Sequence, residues 1–487
     1  MAYLGFKGSL GRWIAGLLAC IGLGIPIEVR AVGNFCQLSE AEISRQDQLL
    51  TKTLTGDAAA RQQYQALVQQ NARQLQQCRA GHWLQTQAVW LRLYPCDTQP
   101  GQIERVLDRI VAQGYNEIYL EVFYNSQVLL PASQNQTPWE SVALQPRNAD
   151  LLADTIKKGR ERGLKVYAWL SSLNFGYNYA QRPDRQKTLA RNAKGQNSLE
   201  IVHDQSQAFV DPYSSQAQTD YRQLLTAVLQ RQPDGILFDY IRYPRGTGAH
   251  SVVSRVQDLW IYSDASRQAL AGRAQNQQGR YLIAEYLEQG YLTVDHLKHA
   301  QARFPKESVP RWQGRTPDSN ELKWASIKRR DHYQQELWIL SVAHAAQGVI
   351  DFLHQMAGMA KQRGIPAGAV FFPDGNRTVG QNGFDSRLQA WNRFSTALEW
   401  HAMAYGVCGD PSCITELVSP VAQTAPDQTR VVPAITGHWG QRFKDRPTLE
   451  AQMADIRAKH PNIRAMSHFS FGWQHPTFDR ERQACEI

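Results

Sequence analysis

The sequence lacks the short motifs that mark three large enzyme classes. It has no Gly-x-Ser-x-Gly elbow, no His-Glu-x-x-His helix and no glycine-rich phosphate loop. These absences argue against serine-hydrolase, zinc-protease and nucleotide-dependent chemistry. None of the seven cysteines has the spacing of zinc ligands, so we expect no metal site and no cofactor.

A concentrated block of basic residues is also missing. The formal net charge of +9 comes from 53 basic and 44 acidic residues spread along 487 positions, and no RNA- or DNA-binding motif accompanies it. We therefore expect an acidic surface or polymer rather than a nucleic acid as partner. Hydrophobic residues make up 43% and charged residues 20% of the chain, a globular composition that suits one large domain or two.

The apolar run near the N-terminus is too short for a membrane-spanning helix, which needs ~20 residues. This run, 13–27, follows Lys7 and Arg12 and precedes a small-residue site ending at Ala31. That order is typical of an export signal, and an uncleaved membrane anchor is the alternative. We predict a signal peptide over 1–31, no stable membrane insertion after cleavage, and export to the periplasm or cell envelope.

Loss of 1–31 would remove Cys20 and leave six of the seven cysteines. An even number of cysteines in an exported chain indicates disulfides. One predicted pair closes a turn-rich loop, another joins the two ends of a helical stretch, and the third consists of the cysteines that remain. These pairs are Cys408–Cys413, Cys36–Cys78 and Cys96–Cys485.

The order of strands and helices predicts the fold. Segment 32–84 is predicted to be an appended hairpin of two Gln- and Ala-rich helices. From Ala88 onward, strand-like and amphipathic segments alternate, which indicates βα units and a parallel sheet. The strand candidates are 88–94, 116–123, 164–170, 235–241, 368–373, 399–405, 430–436 and 464–471. Eight repeats predict a closed (β/α)₈ TIM barrel over 85–487. The alternative, an open doubly wound sheet, is disfavoured because no glycine-rich phosphate-binding motif follows the first strand.

Barrel enzymes carry their active residues at the C-terminal ends of the strands. In this chain those ends hold carboxylates and aromatic rings, a combination that suits glycoside cleavage. One carboxyl would protonate the leaving oxygen, and the other would attack the sugar or activate water. The predicted catalytic residues are Asp239, Asp374 and Glu121. The predicted substrate-binding residues are Arg242, Tyr243, Asn125, Trp169, Asp211, Tyr405, His438, Trp439, His468 and Trp473.

Each candidate also has a purely structural interpretation. Asp239 and Arg242 can form an ion pair that only stabilises the fold. Asp374 lies in a Pro-Asp-Gly turn signal, and Glu121 can pair with a basic residue of a neighbouring strand. Asp211 precedes a proline and a helix, as a helix cap does. Histidines and tryptophans more often pack or hydrogen-bond than bind substrate.

The segment 209–244, which ends in DGILFDYIRYP, resembles the signature of the glycosyl-hydrolase-like ten family of exported bacterial barrel proteins. Segments 384–394, 399–405 and 466–473 are similar to later blocks of that family, and the resemblance covers roughly 88–475. It implies a glycosidase that acts on cell-wall or extracellular glycan, including peptidoglycan stripped of its peptides. A non-catalytic glycan-binding barrel is the alternative.

The resemblance places Asp239 on the aspartate of the family motif, with Arg242 and Tyr243 beside it. We expect Asp239 to act as nucleophile or general base, with Asp374 as the favoured acid and Glu121 as its alternative. The second strand departs from the family pattern: it ends EVFYN, without the basic residue that the family has there.

The alternation of strands and helices stops over 245–330, a longer insertion than is usual for the family. The segment is polar but keeps Trp260 and several tyrosines, which argues against disorder. We predict a mostly helical insertion after the fourth strand. Because it leaves the C-terminal end of that strand, we expect a lid or side wall whose aromatic rings contact the glycan.

Overall fold

Eight parallel strands form the centre of the molecule. The computed structural model describes residues 35–484 except 203 and 205, so the predicted signal segment 1–31 lies outside the described residues. The strands consist almost entirely of buried side chains, as expected for a parallel sheet covered on both faces. Their bounds are β1 Thr86–Leu91, β2 Glu117–Tyr124, β3 Lys165–Ser171, β4 Gly235–Asp239, β5 Ala367–Phe371, β6 Glu399–Ala402, β7 Ala434–Thr436 and β8 Ala465–Phe469.

The strands close into a barrel. Each strand from β1 to β5 pairs with the next in chain order, and β8 pairs with both β1 and β7. Between β6 and β7 the ladder is reduced to parallel bridges, Trp400 with Val431 and Met403 with Ala434. The Trp400 amide donates to the Arg430 carbonyl at 2.8 Å across this seam. The predicted (β/α)₈ barrel is confirmed, with all eight strand candidates in place.

Alternate residues of the strands divide between two packed layers. Ala88, Trp90, Tyr167, Trp169 and Leu237 belong to the cluster that fills the barrel interior. The residues between them face outward, into the larger core between strands and helices. This period of two fixes which residue at each strand end turns towards the barrel axis.

The α-helices lie outside the barrel strands or are appended to them, and none within 35–484 is both long and apolar enough to cross a membrane. Their bounds are α1 Glu40–Leu54, α2 Ala58–Gly81, α3 Gln102–Ala112, α4 Leu151–Glu161, α5 Tyr177–Gln181, α6 Ser215–Leu229, α7 Asp264–Ala271, α8 Gln277–Gln289, α9 Val294–Arg303, α10 Ser326–Gln362, α11 Ser412–Thr424, α12 Leu449–Lys459, α13 Phe471–Gln474 and α14 Pro476–Gln483.

The hairpin of α1 and α2 packs on α3 and α4 of the barrel. Buried Arg79, in the last turn of α2, fixes that end of the hairpin by donating to the carbonyls of Phe35, Leu84 and Gly114. The Cys36–Cys78 disulfide joins the start of the segment to the end of α2. Two of the predicted disulfides, this one and Cys408–Cys413, are confirmed. The predicted Cys96–Cys485 pair involves a residue outside the described ones.

The insertion between β4 and α10 contains α7, α8 and α9, which pack beside the N-terminal half of α10. A buried polar network joins it to the barrel. His344 of α10 accepts from Arg273 Nε at 2.9 Å, and its other ring nitrogen lies 3.0 Å from Ser266 Oγ. Because a guanidinium can only donate, the proton of neutral His344 is on Nε2, which donates to Ser266. Ser263 donates to Asp211, which lies four residues before the start of α6.

Candidate active site

One pocket at the C-terminal end of the barrel contains two of the three predicted catalytic carboxyls. Glu121 in the C-terminal half of β2 and Asp239 at the end of β4 both line this pocket, whose volume is about 190 Å³. Aromatic and basic side chains form the rest of its wall. They are Trp90, Arg92, Tyr124, Trp169, Tyr240, Arg242, Phe372, Tyr405 and Phe469, with Met403.

The turn after β4 fixes the carboxylate of Asp239. Tyr240 takes a positive φ of 51°, a left-handed backbone that is uncommon for a large residue and marks local strain. In this conformation the Tyr240 amide donates to Asp239 Oδ1 at 2.6 Å. Trp169 donates its indole N–H to Oδ2 at 3.0 Å. Both oxygens of Asp239 therefore accept a hydrogen bond from a rigid donor.

Glu121 is held by a basic residue from the neighbouring strand. Arg92, just after β1, donates to Glu121 Oε1 from Nη2 at 2.9 Å and to Oε2 from Nε. A register shift after Glu121 interrupts its pairing with β3, and Tyr124 then shares the pocket with it. Such a bulge redirects the side chains that follow it. The Arg92 guanidinium also lies 5.2 Å from the Tyr124 ring centroid.

Burial raises the pKa of both carboxyls. It raises the pKa of Asp239 to about 6, although the Tyr240 amide, the Arg242 charge and the Trp169 N–H favour its charged form. Burial also raises the pKa of Glu121, and the hydrogen-bonded Arg92 opposes this effect. Carboxyls with raised pKa values in a shared cleft are typical of general acid–base sites.

A second lobe of the cleft adjoins this pocket. It has a volume of about 350 Å³ and shares Trp90, Arg92, Trp169 and Phe469 with the first lobe. Its remaining wall comes from the chain that follows β1 and β8, including Tyr94, Ser470, Trp473, Asp479 and Arg480. The two lobes together form a cleft with room for more than one ring of a chain-like ligand.

A larger cavity lies at the opposite end of the barrel. It has a volume of about 740 Å³ and is lined by Thr86 and Ala465, the first residues of β1 and β8. Among the described residues that line it, Asp427 is the one acid, so it lacks a carboxyl pair. The paired carboxyls, rather than cavity size, therefore identify the candidate site.

Asp374, the favoured acid in the sequence analysis, does not line either lobe of the cleft. Arg387 donates to its carboxylate at 3.0 Å and also binds Asp385. Burial acts against ionisation, but the hydrogen bond and charge of Arg387 outweigh it and lower the pKa of Asp374. A carboxyl held as an anion is a poor proton donor. Glu121, the alternative named from the sequence, is thus the acid that shares a pocket with Asp239.

The predicted substrate-binding residues separate into two groups. Arg242, Trp169 and Tyr405 line the carboxyl pocket and Trp473 lines the adjoining lobe. Asn125 is exposed on a turn with φ 48°, away from both lobes. The residues that do not line the cleft are Asn125, Tyr243, Asp211, His438, Trp439 and His468.

Several members of the second group have structural roles instead. Asp211 is 0% exposed and accepts hydrogen bonds from Ser263 and the Tyr213 amide. His468 faces outward from β8 and lies 2.9 Å from the Tyr115 hydroxyl, away from the cleft. Tyr243 is fully buried. The structure places these three side chains in packed surroundings outside both lobes, and substrate contact by them stays a prediction.

The aromatic rings near the end of β7 do not line the cleft either. Trp439 donates to the Tyr115 hydroxyl at 3.2 Å and packs on Phe35 of the N-terminal segment. His438 stacks on Phe443 with ring centroids 4.5 Å apart. Their position after β7 suggested substrate contact, but their side chains pack on neighbouring loops instead.

The insertion contributes no residue from 247–325 to either lobe of the cleft. Trp260 is 6% exposed and packs in the core, so contact between its ring and a glycan stays a prediction. Arg255 and Arg267 pair with Asp258 and Glu288. The lid over the cleft stays a prediction, whereas the contacts with α10 indicate a wall beside the barrel.

Arg92, the partner of Glu121, was not among the residues predicted from the sequence. The alternation of residues along β1 could have identified it. Ala88 and Trp90 face the barrel interior, and Arg92 is the next residue on the same side. The basic residue absent from the end of β2 thus has a counterpart on the neighbouring strand.

The described residues were compared with solved structures. A β-N-acetylhexosaminidase from Bacteroides fragilis NCTC 9343 aligns with 11% identity over 80% of this chain and 61% of its own, with a TM-score of 0.38. A GH20 exo-β-N-acetylglucosaminidase from Vibrio harveyi aligns with 8% identity over 82% and 54%, with a TM-score of 0.39. The chain thus spans about three fifths or less of the length of these two proteins. At these TM-scores, the fold assignment rests on the strand order and closure described above.

A search of curated proteins finds no match to this sequence. The comparison with family models does find one, in the part of the chain that contains α3 to α7, the strands β1 to β4 and both pocket carboxyls. Residues 80–278 match the model of the family described as glycosyl hydrolase-like 10, which confirms the resemblance found in the sequence.

Proposed function

We propose that this protein is a glycoside hydrolase that cleaves a bacterial cell-wall or extracellular glycan with a pair of carboxyl groups. The observation that carries the proposal is the position of Asp239 and Glu121 in one aromatic-lined pocket at the C-terminal end of the barrel. Two carboxyls flanking the scissile bond are the minimal equipment for glycoside hydrolysis. The family match over 80–278 supports the same class of reaction.

Asp239 acts as nucleophile or general base in this proposal. Its oxygens accept hydrogen bonds from Tyr240 and Trp169, and acceptor-only contacts suit an ionised carboxylate. The fixed orientation reduces the reorganisation needed at the moment of reaction. Glu121 acts as the acid that protonates the leaving oxygen, and burial raises its pKa, which favours the protonated form that an acid needs.

The cleft shape supports a chain-like substrate. The lobe with the carboxyls accommodates the sugar at the reacting carbon, and the lobe beside Trp473 accommodates the next sugar. Aromatic faces such as that of Trp473 stack on sugar rings, which are apolar on their faces and polar at their edges. We propose peptidoglycan strands stripped of their peptides as the first substrate to test.

A second candidate function, a non-catalytic glycan-binding barrel, is favoured by one observation. Arg92 contacts both oxygens of Glu121, and such a pair holds a carboxyl in its ionised form. If substrate binding does not displace Arg92, this pair opposes the protonation that a general acid needs. In that case the cleft binds glycan without cleaving it.

The release of new reducing ends distinguishes the two functions. The protein is incubated with intact peptidoglycan, with peptide-stripped strands and with neutral chitin oligosaccharides, and reducing ends and product masses are measured. Cleavage of any of these glycans supports the hydrolase. Binding without new reducing ends supports the glycan-binding barrel, and neither binding nor cleavage contradicts both.

A further inference from the structure

Arg242 is a buried cation without an ion-pair partner among the described residues. It is 6% exposed and lines the pocket that holds Asp239. Nη1 donates to the Tyr243 carbonyl at 3.0 Å, and Nε has no hydrogen-bond partner in the described part of the chain. Buried charges are normally paired, because an unpaired one costs several kcal/mol. An arginine in this state has unused donors next to the reacting centre.

Asp239 does not satisfy the guanidinium of Arg242. The two side chains form no ion pair within 4.0 Å in residues 35–484, and the oxygens of Asp239 accept from Trp169 and Tyr240 instead. The other arginine of the pocket, Arg92, binds Glu121. Within this pocket the contrast is clear: one guanidinium has its carboxylate, and the other has none.

The guanidinium of Arg242 is nonetheless held in place. It lies 4.8 Å from the ring centroid of Tyr240, 5.4 Å from that of Phe209 and 5.7 Å from that of Phe372. Aromatic rings stabilise a cation and restrict its rotation without using its N–H donors. A donor group that is preorganised in this way binds an incoming acceptor with little loss of side-chain entropy.

A second unpaired arginine adds positive charge at the same place. Arg245 is exposed, has no ion pair among the described residues, and lies 5.9 Å from the ring centroid of Phe372. Arg242 and Arg245 therefore approach the same ring. An anionic group entering the pocket beside Phe372 meets a favourable electrostatic field.

We infer that Arg242 binds a carboxylate carried by the sugar that occupies the pocket beside Asp239, so that the substrate is a glycan containing carboxylate-bearing sugars. This inference rests on the proposed function. The planar fork of a guanidinium matches the two oxygens of a carboxylate, and the bound pair removes the unpaired charge. Arg242 is then the residue that selects acidic sugars over neutral ones.

The test compares a glycan before and after its carboxyl groups are reduced to alcohols. The probes are peptide-stripped peptidoglycan oligosaccharides in native and carboxyl-reduced form. Affinity is measured by calorimetry and by the fluorescence of tryptophan, since Trp90 and Trp169 line the pocket. Wild type is expected to bind the native form about 10- to 100-fold more tightly, the range for hydrogen bonds to a charged group.

Two variants locate the effect. Arg242→Gln is expected to lower affinity for the native form to that for the reduced form, while Arg242→Lys retains part of the preference. Arg245→Gln, at the exposed neighbour, is the matched control and changes the preference by less than about threefold, as expected for a solvent-screened charge. The wild-type comparison stands even if a variant does not fold.

The outcomes separate the inference from the proposed function. Equal binding of native and reduced glycan by wild type overturns the inference while leaving the hydrolase intact. An equal loss of affinity for both forms in Arg242→Gln also overturns it, because Arg242 then acts through Asp239. Failure to bind any of the glycans overturns the proposed function, and the inference with it.

Discussion

Asp239 and Glu121 reach the same pocket because each continues the inward-facing phase of its strand. Leu237 and Tyr119, two positions earlier, fill the barrel interior. Period-two alternation therefore directs the carboxyl of each strand end towards the barrel axis. The environment then raises both pKa values by burial, which suits groups that exchange protons during a reaction.

The first prediction concerns the acidic side of the pH–rate profile. Because the pKa of Asp239 is about 6, this carboxyl is protonated below pH 6 and ionised above it. A nucleophile or base must be ionised, so kcat/KM is expected to fall as pH drops through about 6. Measurement on the cleaved glycan checks this. Activity that instead falls as pH rises through about 6 would assign Asp239 as the acid.

A second prediction concerns the hydrogen bond between Trp169 and Asp239. Trp169→Phe keeps an aromatic ring but removes the N–H that stabilises the charged carboxylate. The pKa of Asp239 is expected to rise, moving the acidic limb upward by about one pH unit. Trp473→Phe, in the neighbouring lobe, is the control. Identical pH profiles for wild type and Trp169→Phe would show that this hydrogen bond does not set the pKa.

Strand phase also explains what could be foreseen for single residues. Asp239, Glu121 and Trp169 were identifiable because strand ends and their residue types are visible in sequence. The placement of Asp374 was not, because its contact with Arg387 depends on how a loop returns to the barrel. For His468 the sequence did contain the information. Alternation along β8 places His468 on the outward side of the strand, next to an inward-facing residue.

At the scale of elements, α10 is the piece that joins the insertion to the barrel. Its N-terminal half contacts α8 and α9, and its later part contacts α6 and β5. His344 lies buried in this helix, stacked on Tyr213 with ring centroids 4.4 Å apart. Burial first, and then the charge of Arg273, lower the pKa of His344 to about 3.

His344→Gln should alter the pH dependence of stability. The folded pKa of about 3 lies below the usual 6.5, so the unfolded chain binds the additional proton as pH falls through 6.5. Wild type therefore loses stability there, by about 1.4 kcal/mol per pH unit relative to the variant. Glutamine can still donate to Ser266 and accept from Arg273. Denaturant unfolding at pH 8, 6 and 5 measures the difference, and a constant difference across these pH values contradicts the prediction.

The two disulfides of the described residues should differ in their contribution to stability. Cys36–Cys78 closes a separation of 42 residues and Cys408–Cys413 one of 5. In the chain-entropy account, their removal costs about 4 and about 2 kcal/mol. Paired Cys→Ser variants compared by denaturant unfolding test this order. A larger loss for the short loop would show that native contacts, rather than loop length, dominate.

At the scale of the whole molecule, the barrel was predictable from the sequence and the packing of its additions was not. Each barrel strand is a buried apolar run followed by a helix, and eight such repeats have one common closed arrangement. The insertion carried aromatic residues that fit either a cleft wall or a core. The contacts of Trp260 and His344 place much of the insertion in the core beside α10. This position could not be predicted because it depends on contacts between residues far apart in the sequence.

The most direct test of the central claim, that Asp239 and Glu121 form the catalytic pair, is the rate of reducing-end release by three matched variants on one cleaved glycan. Asp239→Asn and Glu121→Gln are each expected to lower kcat by about 10²-fold or more, the scale of losing a positioned acid, base or nucleophile. Asp374→Asn, outside the cleft, should stay within a few-fold of wild type. Near-normal activity of Asp239→Asn, or a loss confined to Asp374→Asn, would contradict the account.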